Sequence, residues 1–280
     1  MIHTVKNWRK ILLKSKLRYL AHPNTPVVLV DKFGFKFIYY SWMYRSLESH
    51  ITRQNFVKEY AAMRKLIRPG STVFDIGANV GVFSVPFSSW VGAQGRVYSF
   101  EPVEDTYWLL QENISLNKCS NIISYQQAIS DKQGVSKMHI FDKRYSSWNS
   151  MGFTSHHGSI KPKLEIEITS NSLDSFCRSE NISVIDYLKV DVEGYEYLVF
   201  KGVENLLSQG KVKYLSFEVA DILQKVSGHS VQELFKLLSK HGYSSYQFDA
   251  VREKFTGPYK EFSGYWDNFY ASQDDLVKII

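Results

Sequence analysis

From residue 72 onward, short strands alternate with amphipathic helices. That pattern predicts an α/β protein: an open, largely parallel sheet with helices on both faces. Two further observations support it. A glycine-bearing turn, Gly77 to Gly81, joins the first of these strands to its helix, as at the ligand-binding edge of such sheets. The 280 residues, 44% hydrophobic and 22% charged, can also build a large core without disulfides or metal staples.

The elements follow in order. Residues 1–20 alternate basic with apolar side chains and predict an amphipathic helix, either solvated or lying on an anionic surface. Val27 to Tyr40 predicts a hairpin broken at Asp31-Lys32-Phe33-Gly34. Phe56, Tyr60, Met63 and Ile67 recur at helical spacing over residues 54–67, and Arg68-Pro69-Gly70 ends that helix. Strand Thr72–Ile76 leads to a helix over Asn79–Trp90, and strand Arg96–Phe100 to a helix over Glu104–Asn117. Strand Ile122–Ala128 comes next. Two β-rich runs, Val135–Phe141 and Leu164–Thr169, then interrupt the alternation. They predict an inserted β-hairpin around a polar loop, Asp142 to Lys163. The alternation resumes with strand Val184–Val190, helix Tyr195–Leu207, strand Lys213–Phe217 and a helix over Val231–His241. Strands near Tyr243–Phe248 and Phe269–Tyr270 close the chain. No Pro/Gly/Ser-rich linker divides it. One domain, residues 51–280, is therefore expected behind an N-terminal extension, residues 1–50.

The formal charge is +6, from 34 basic and 28 acidic residues. Residues 1–20 hold six of the basic residues and no acid, so residues 21–280 carry 28 of each sign. A neutral body is a poor match for a protein that tracks a phosphate backbone, and no nucleic-acid partner is expected. The two cysteines, Cys119 and Cys177, lie far apart in the sequence and show no metal-ligand spacing. No metal is expected, and a cytoplasmic setting is. Ile11-Leu12-Leu13 is too short for a signal core or a membrane span. Residues 1–20 remain a candidate peripheral contact with the inner membrane face. The sequons at Asn113 and Asn181 carry little weight in that setting.

Three segments carry chemistry. The first is Asp75-Ile76-Gly77-Ala78-Asn79-Val80-Gly81-Val82-Phe83-Ser84. Glycines in a strand-to-helix turn let a ligand approach the backbone, and the helix start offers free N–H groups. An acid two residues before the first glycine differs from the dinucleotide fingerprint. The second is Phe100-Glu101-Pro102, twenty residues beyond Gly81 at the next strand tip. There a carboxylate can accept hydrogen bonds from both ribose hydroxyls. No basic residue lies between Pro69 and Arg96 to hold a phosphate. S-adenosyl-L-methionine fits, with its ribose at Glu101 and its amino-acid end near Asp75.

The third is Asp191-Val192-Glu193-Gly194-Tyr195-Glu196, delivered by a strand to the same edge. Asp191 and Glu193 are candidates to abstract a proton, hold a divalent ion or orient a substrate. Glu196, in a first helical turn, is read as compensating the helix dipole. Glu218, at the next strand tip, is a further candidate. In the inserted loop, Trp148 and Phe153 could stack on a sugar, Asn149 and the serines could bond its hydroxyls, and His156 or His157 could serve as base.

On these residues the chain resembles the FkbM family of S-adenosylmethionine-dependent methyltransferases. Carrying the resemblance are Phe74–Ser84, Phe100-Glu101-Pro102, Gln127-Ala128-Ile129-Ser130-Asp131 with Gly134, Leu173-Asp174, and above all Leu188–Glu196. It spans roughly residues 55–272. It implies a Rossmann-like class I methyltransferase sheet whose final strand is antiparallel. It also implies O-methylation, often of a saccharide or other secondary metabolite. By motif position, Asp75, Gly77 and Gly81 would line the methionine end, with Ala78, Asn79 and Ser84 also expected to bind the cofactor. Glu101 with Pro102 would hold the ribose, and Ala128 would face the adenine. The base stays open among Asp191, Glu193, Glu218 and His156. A nucleic-acid methyltransferase and a cofactor-binding protein without turnover are the alternatives.

Overall fold

The computed structural model describes residues 26–40, 55–142, 145, 149–152, 160–262 and 267–279. The expected N-terminal helix, Trp148, Phe153, His156 and His157 lie outside them.

Strands β1 (Val27–Val30) and β2 (Lys36–Tyr39) form the expected antiparallel hairpin. Helix α1 (Asn55–Leu66) follows, then β3 (Thr72–Ile76), α2 (Ser84–Val91), β4 (Arg96–Phe100), α3 (Glu104–Leu116) and β5 (Ile122–Tyr125). The insertion comprises β6 (Ala128–Ile129), β7 (Gly134–Ile140) and β8 (Leu164–Asn171). The rest is α4 (Leu173–Ser179), β9 (Ile185–Val190), α5 (Glu196–Lys201), α6 (Glu204–Ser208), β10 (Val212–Val219), α7 (Asp221–Gln224), α8 (Val231–Lys240), β11 (Ser244–Asp249), β12 (Lys254–Tyr259) and β13 (Asp267–Ser272).

Eight strands make the main sheet, in the order β12-β11-β13-β10-β9-β3-β4-β5. From β10 to β5 every pairing is parallel. The last strand, β13, inserts antiparallel between β10 and β11. Strand order reverses between β3 and β9, so their carboxyl ends open a crevice. Central strands are buried on both faces. On one face Phe74, Leu188, Val190 and Leu215 pack with α4, α5, α6 and α8. On the other, Val73, Val97 and Tyr187 pack with α1 and α2.

The hairpin before α1 shares this second layer. Phe37 and Tyr39 are buried with Val80, Val85 and Leu109. The Asn113 side chain accepts from the Ile38 N–H at 2.8 Å and donates to the Val80 carbonyl at 2.8 Å. Fully buried and committed to both, it is no glycosylation site.

Several expectations need correction. The strand expected over Ile122–Ala128 splits at Gln126-Gln127: β5 ends in the main sheet, and β6 pairs parallel with β8. β7 and β8 do form the expected antiparallel hairpin, and β6 adds a third strand to it. The helix expected over Tyr195–Leu207 breaks in two at Gly202, where a Cβ would overlap the Ser130 carbonyl. Asp174 caps the second piece, accepting from the N–H groups of Asn205 (2.9 Å) and Leu206 (3.1 Å). Regular helix α2 starts at Ser84 rather than Asn79, after a tight turn in which the Gly81 N–H bonds the Ala78 carbonyl. Helices α4 and α7 and edge strand β12 were not anticipated. No helix among the described residues is long and apolar enough to cross a membrane.

Candidate active site

Alternation along the strands sets the site. Asp75 lies in register with Ser99 on β4 and Lys189 on β9, and Lys189 with Ser216 on β10. In-register neighbours share a face, so a polar row crosses the sheet beneath its carboxyl edge. Two residues further along each chain come Glu101, Asp191 and Glu218. That step keeps them on the row's face and carries them to the edge.

The row is tightly bonded. Asp75 is fully buried; its Oδ2 accepts from Ser84 Oγ at 2.6 Å, and Ser99 Oγ donates to Ser84 Oγ at 2.8 Å. Lys189, 4% exposed, places Nζ 3.3 Å from Asp75 Oδ1, 3.2 Å from Asp191 Oδ2 and 4.6 Å from the centre of the Phe83 ring. Burial works to lower the Lys189 pKa, but the flanking Asp191 and Asp75 carboxylates outweigh it and hold the ammonium charged.

Glu101 is buried at the end of β4. Its Oε1 accepts from the Val103 N–H at 2.9 Å and its Oε2 from the Asn79 N–H at 3.1 Å. Burial pushes its carboxyl up to about 7, against the pull of those two N–H groups. Each oxygen keeps a lone pair for a further donor. Asn79 adopts a positive φ of 48° to present its N–H. Pro102 follows half-buried, and Ala128 is buried where β6 begins.

The glycine turn is also packed closely against protein. Gly77 has φ +76°, and a Cβ there would overlap the Asp191 backbone carbonyl. A Cβ on Gly81 (φ +90°) would stand 2.9 Å from Leu110 Cδ1. Both let chain approach chain. The joint between the β3 turn and the β9 turn is completed by the Asp191 N–H on the Ile76 carbonyl, 3.0 Å. Gly77→Ala is expected to lower stability by roughly 2–5 kcal/mol, from overpacking plus backbone strain. Gly228→Ala, at φ +79° in open space, carries the strain alone. Thermal unfolding of the two variants separates the contributions, and equal losses would show that the Asp191 contact costs nothing.

Beyond β9, Asp191, Glu193 and Glu218 each bring a carboxylate oxygen within 4.8 Å of the others. Such a trio is close enough to share protons or to surround a divalent cation. Burial, then the charge of Asp191, raises Glu193 well above the usual carboxylate range. Burial, then the charge of Glu193, does the same for Glu218. Glu196 bonds the N–H groups of Val192 (3.1 Å) and Gly194 (3.3 Å), and the Gln224 side chain bonds its other oxygen. It shapes the turn that displays Asp191 and Glu193.

Two members were not singled out from the sequence. Lys189 is a charge inside the apolar run Tyr187-Leu188-Lys189-Val190. Glu59, on the buried face of α1 beside Tyr60 and Met63, accepts from Asn268 Nδ2 at 2.8 Å. Asn268 stands opposite Glu218 in the β10–β13 pairing. Burial, then Asp191, pushes Glu59 up to about 8. The signal was a charge on an otherwise apolar helix face for Glu59, and a charge inside an apolar run for Lys189. Asn149 and Ser150, read as acceptor contacts, each bond the protein: Asn149 Oδ1 accepts from the Phe141 N–H (3.0 Å), and Ser150 Oγ donates to the Glu193 carbonyl (3.0 Å).

A parallel sheet closed by an antiparallel last strand, an acid-glycine turn after its first strand and an acid at the tip of the second define an S-adenosylmethionine-dependent class I methyltransferase. The methyltransferase FkbM domain matches residues 75–245, more than half of the chain. The chain belongs to that family. It is 25% identical over 201 residues to the 31-O-demethyl-FK506 methyltransferase FkbM of Streptomyces tacrolimicus, covering 64% of this chain and 74% of that one. It is 27% identical over 168 residues to the hexuronic acid methyltransferase AglP of Haloferax volcanii, covering 60% and 61%. A shorter stretch of 64 residues, 23% of this chain and 16% of the other, is 38% identical to the catalytic subunit TRM61 of the Yarrowia lipolytica tRNA (adenine(58)-N(1))-methyltransferase.

Proposed function

We propose that the protein methylates a hydroxyl oxygen of a saccharide or related metabolite. The observation that carries this reading is the pair Glu193 and Glu218, two carboxyls with raised proton affinity beside the cofactor turn. An alcohol becomes a competent nucleophile only as its proton leaves, and a carboxylate with raised proton affinity suits that task.

Bound S-adenosylmethionine supplies an electrophilic methyl group on a positively charged sulfur. The residues fit it: Glu101 has lone pairs left for ribose hydroxyls, and the acids around Asp75 and Asp191 favour a cation. In this reading Gly77, Ala78, Asn79 and Gly81 form the turn over the methionine end, with Asp75 and Ser84 bracing it from below. Pro102 and Ala128 border the nucleoside. Glu193 or Glu218 takes the hydroxyl proton. Lys189 supplies positive charge 3.2 Å from Asp191. His156 lies outside the described residues and stays an untested candidate for the base.

The name of the 31-O-demethyl-FK506 methyltransferase supports transfer to oxygen, and that of the hexuronic acid methyltransferase supports a saccharide acceptor. Against a nucleic-acid acceptor stands the neutral body, 28 basic and 28 acidic residues over 21–280. Transfer of labelled methyl from S-adenosylmethionine to a panel of methyl glycosides, hexuronosides included, tests it against bulk tRNA. Alkali-stable label in a glycoside, unchanged after dialysis against EDTA, is expected. Label in tRNA alone would overturn the acceptor class. Activity lost to EDTA and restored by Mg²⁺ would make the acidic trio a metal site. Cofactor binding with no transfer to anything would favour a binding protein.

A further inference from the structure

The inserted sheet touches both halves of the site. Met138 and Ile168 pack with Val103 and Ala128, which flank the proposed nucleoside position, and Met151 packs against that cluster. Beside Met138 and Met151, the chain returning to β7 reaches the acidic turn. Ser150 pairs with His139 through backbone bonds of 2.8 and 3.3 Å, so it is held as part of the sheet. Ser150, 2% exposed, then donates its hydroxyl to the Glu193 carbonyl at 3.0 Å. Glu193 itself sits at φ +53°, and Gly194 at φ +99°. A non-glycine residue at positive φ is held there only by its surroundings. Two residues on, a Cβ at Gly152 would overlap Val226 Cγ1 and come within 3.0 Å of the Tyr195 hydroxyl. The insertion is therefore wedged between the acidic turn and the segment after α7.

We propose that the inserted sheet forms the acceptor-side wall of the active site, and that Ser150 and Gly152 are positioning residues that clasp the Asp191–Glu193 turn to it. Among the described residues the turn is otherwise held by Glu196, by the Asp191–Ile76 bond, by the Lys189–Asp191 pair and by the close approach of Leu223 to Gly194. Acceptor preference then belongs to the insertion, and cofactor binding belongs to the β3 and β4 turns. The inference rests on the reading of this turn as the proton acceptor, but the clasp can be tested without any acceptor.

The test is amide hydrogen exchange of the full chain with S-adenosylhomocysteine, on wild type, Ser150→Ala, Ser150→Thr and Gly152→Ala. The amides of Val192 and Gly194 are bonded to Glu196 and report opening of the turn. Ser150→Ala is expected to speed their exchange about three- to tenfold, as loss of one hydrogen bond does. Amides of β3 should not change, the dissociation constant for S-adenosylhomocysteine should stay within twofold, and Ser150→Thr should restore protection. Gly152→Ala should exceed Ser150→Ala. Unchanged exchange in Ser150→Ala, or an equal loss of cofactor affinity, would overturn the proposal. On any glycoside the wild type methylates, kcat should fall with the exchange protection. Should no glycoside be methylated, the acceptor reading fails while the exchange data still decide the clasp.

Discussion

Glu101→Ala is expected to weaken S-adenosylhomocysteine binding roughly 10²–10³-fold, measured by calorimetric titration, while binding of NAD stays negligible in both proteins. Two hydrogen bonds from ribose hydroxyls to a buried carboxylate are lost, each worth about 1.5–3 kcal/mol when the acceptor is charged. The variant also strips the Asn79 and Val103 N–H groups of their acceptor. Glu101→Gln keeps an acceptor oxygen and should lose less. The pH dependence gives the second arm. Burial raises the Glu101 carboxyl to about 7, so below that pH the free protein holds it largely protonated. Hydroxyl donors favour the ionised form, so binding must release the proton. Affinity should therefore rise between pH 5 and 7 and level off above, with proton release detectable by titration in buffers of different ionisation enthalpy. Affinity that fell with rising pH, or a Glu101→Gln profile as steep as wild type, would place the ribose elsewhere.

The same group bears on stability with the opposite sign. A carboxyl whose folded pKa lies above its unfolded value stabilises the fold in its protonated form. That contribution is present at low pH and is lost as pH rises from the unfolded value, near 4.5, through about 7. The free protein gives up this stability where the cofactor gains affinity. Glu196, pushed by burial to about 7 despite its backbone N–H partners, adds to the trend. Lys189 acts differently. Removing it would leave Asp75 and Asp191 uncompensated below and beside the turn, the most costly way to break a buried pair.

What the sequence revealed follows from the range of the forces involved. Strand–helix alternation is written locally, so β3, β4, α3 and β9 stood within a residue or two of their expected bounds. The acids at the strand tips were legible for the same reason, since a strand's end and its parity place them on one edge. Contacts between distant segments were not. A glycine at position 77 announces that something comes close, but the sequence cannot show that the Asp191 carbonyl, 114 residues on, is a neighbour. Gly202 hides the Ser130 carbonyl in the same way. β6 is two residues long and owes its place to pairing with β8, which no local pattern encodes. Glu59 and Lys189 are charges that only tertiary partners make tolerable, so a pattern of buried faces reads them as exceptions before it reads them as a site.

Glu193→Gln and Glu218→Gln are expected to lower kcat for methyl transfer to a glycoside by about 10²–10⁴-fold, the usual worth of a general base. Affinity for S-adenosylhomocysteine should stay within about threefold, because neither side chain belongs to the proposed cofactor turn. The two losses need not match. If the pair shares a proton, the residue nearer the acceptor takes it, and its partner mainly sets the affinity for it. The wild-type rate should then rise with pH along a limb lying above the ordinary carboxylate range, since burial and the neighbouring acid raise both groups. Removing one member relieves the repulsion on the other, so the surviving activity of the weaker variant should show its limb moved to lower pH. Asp191→Asn predicts the same direction of shift in both remaining acids, because its charge raises each. It should also release Lys189 from one of its two partners. A limb at the ordinary carboxylate value near 4.3, unmoved by any of the three substitutions, would take proton abstraction away from this cluster.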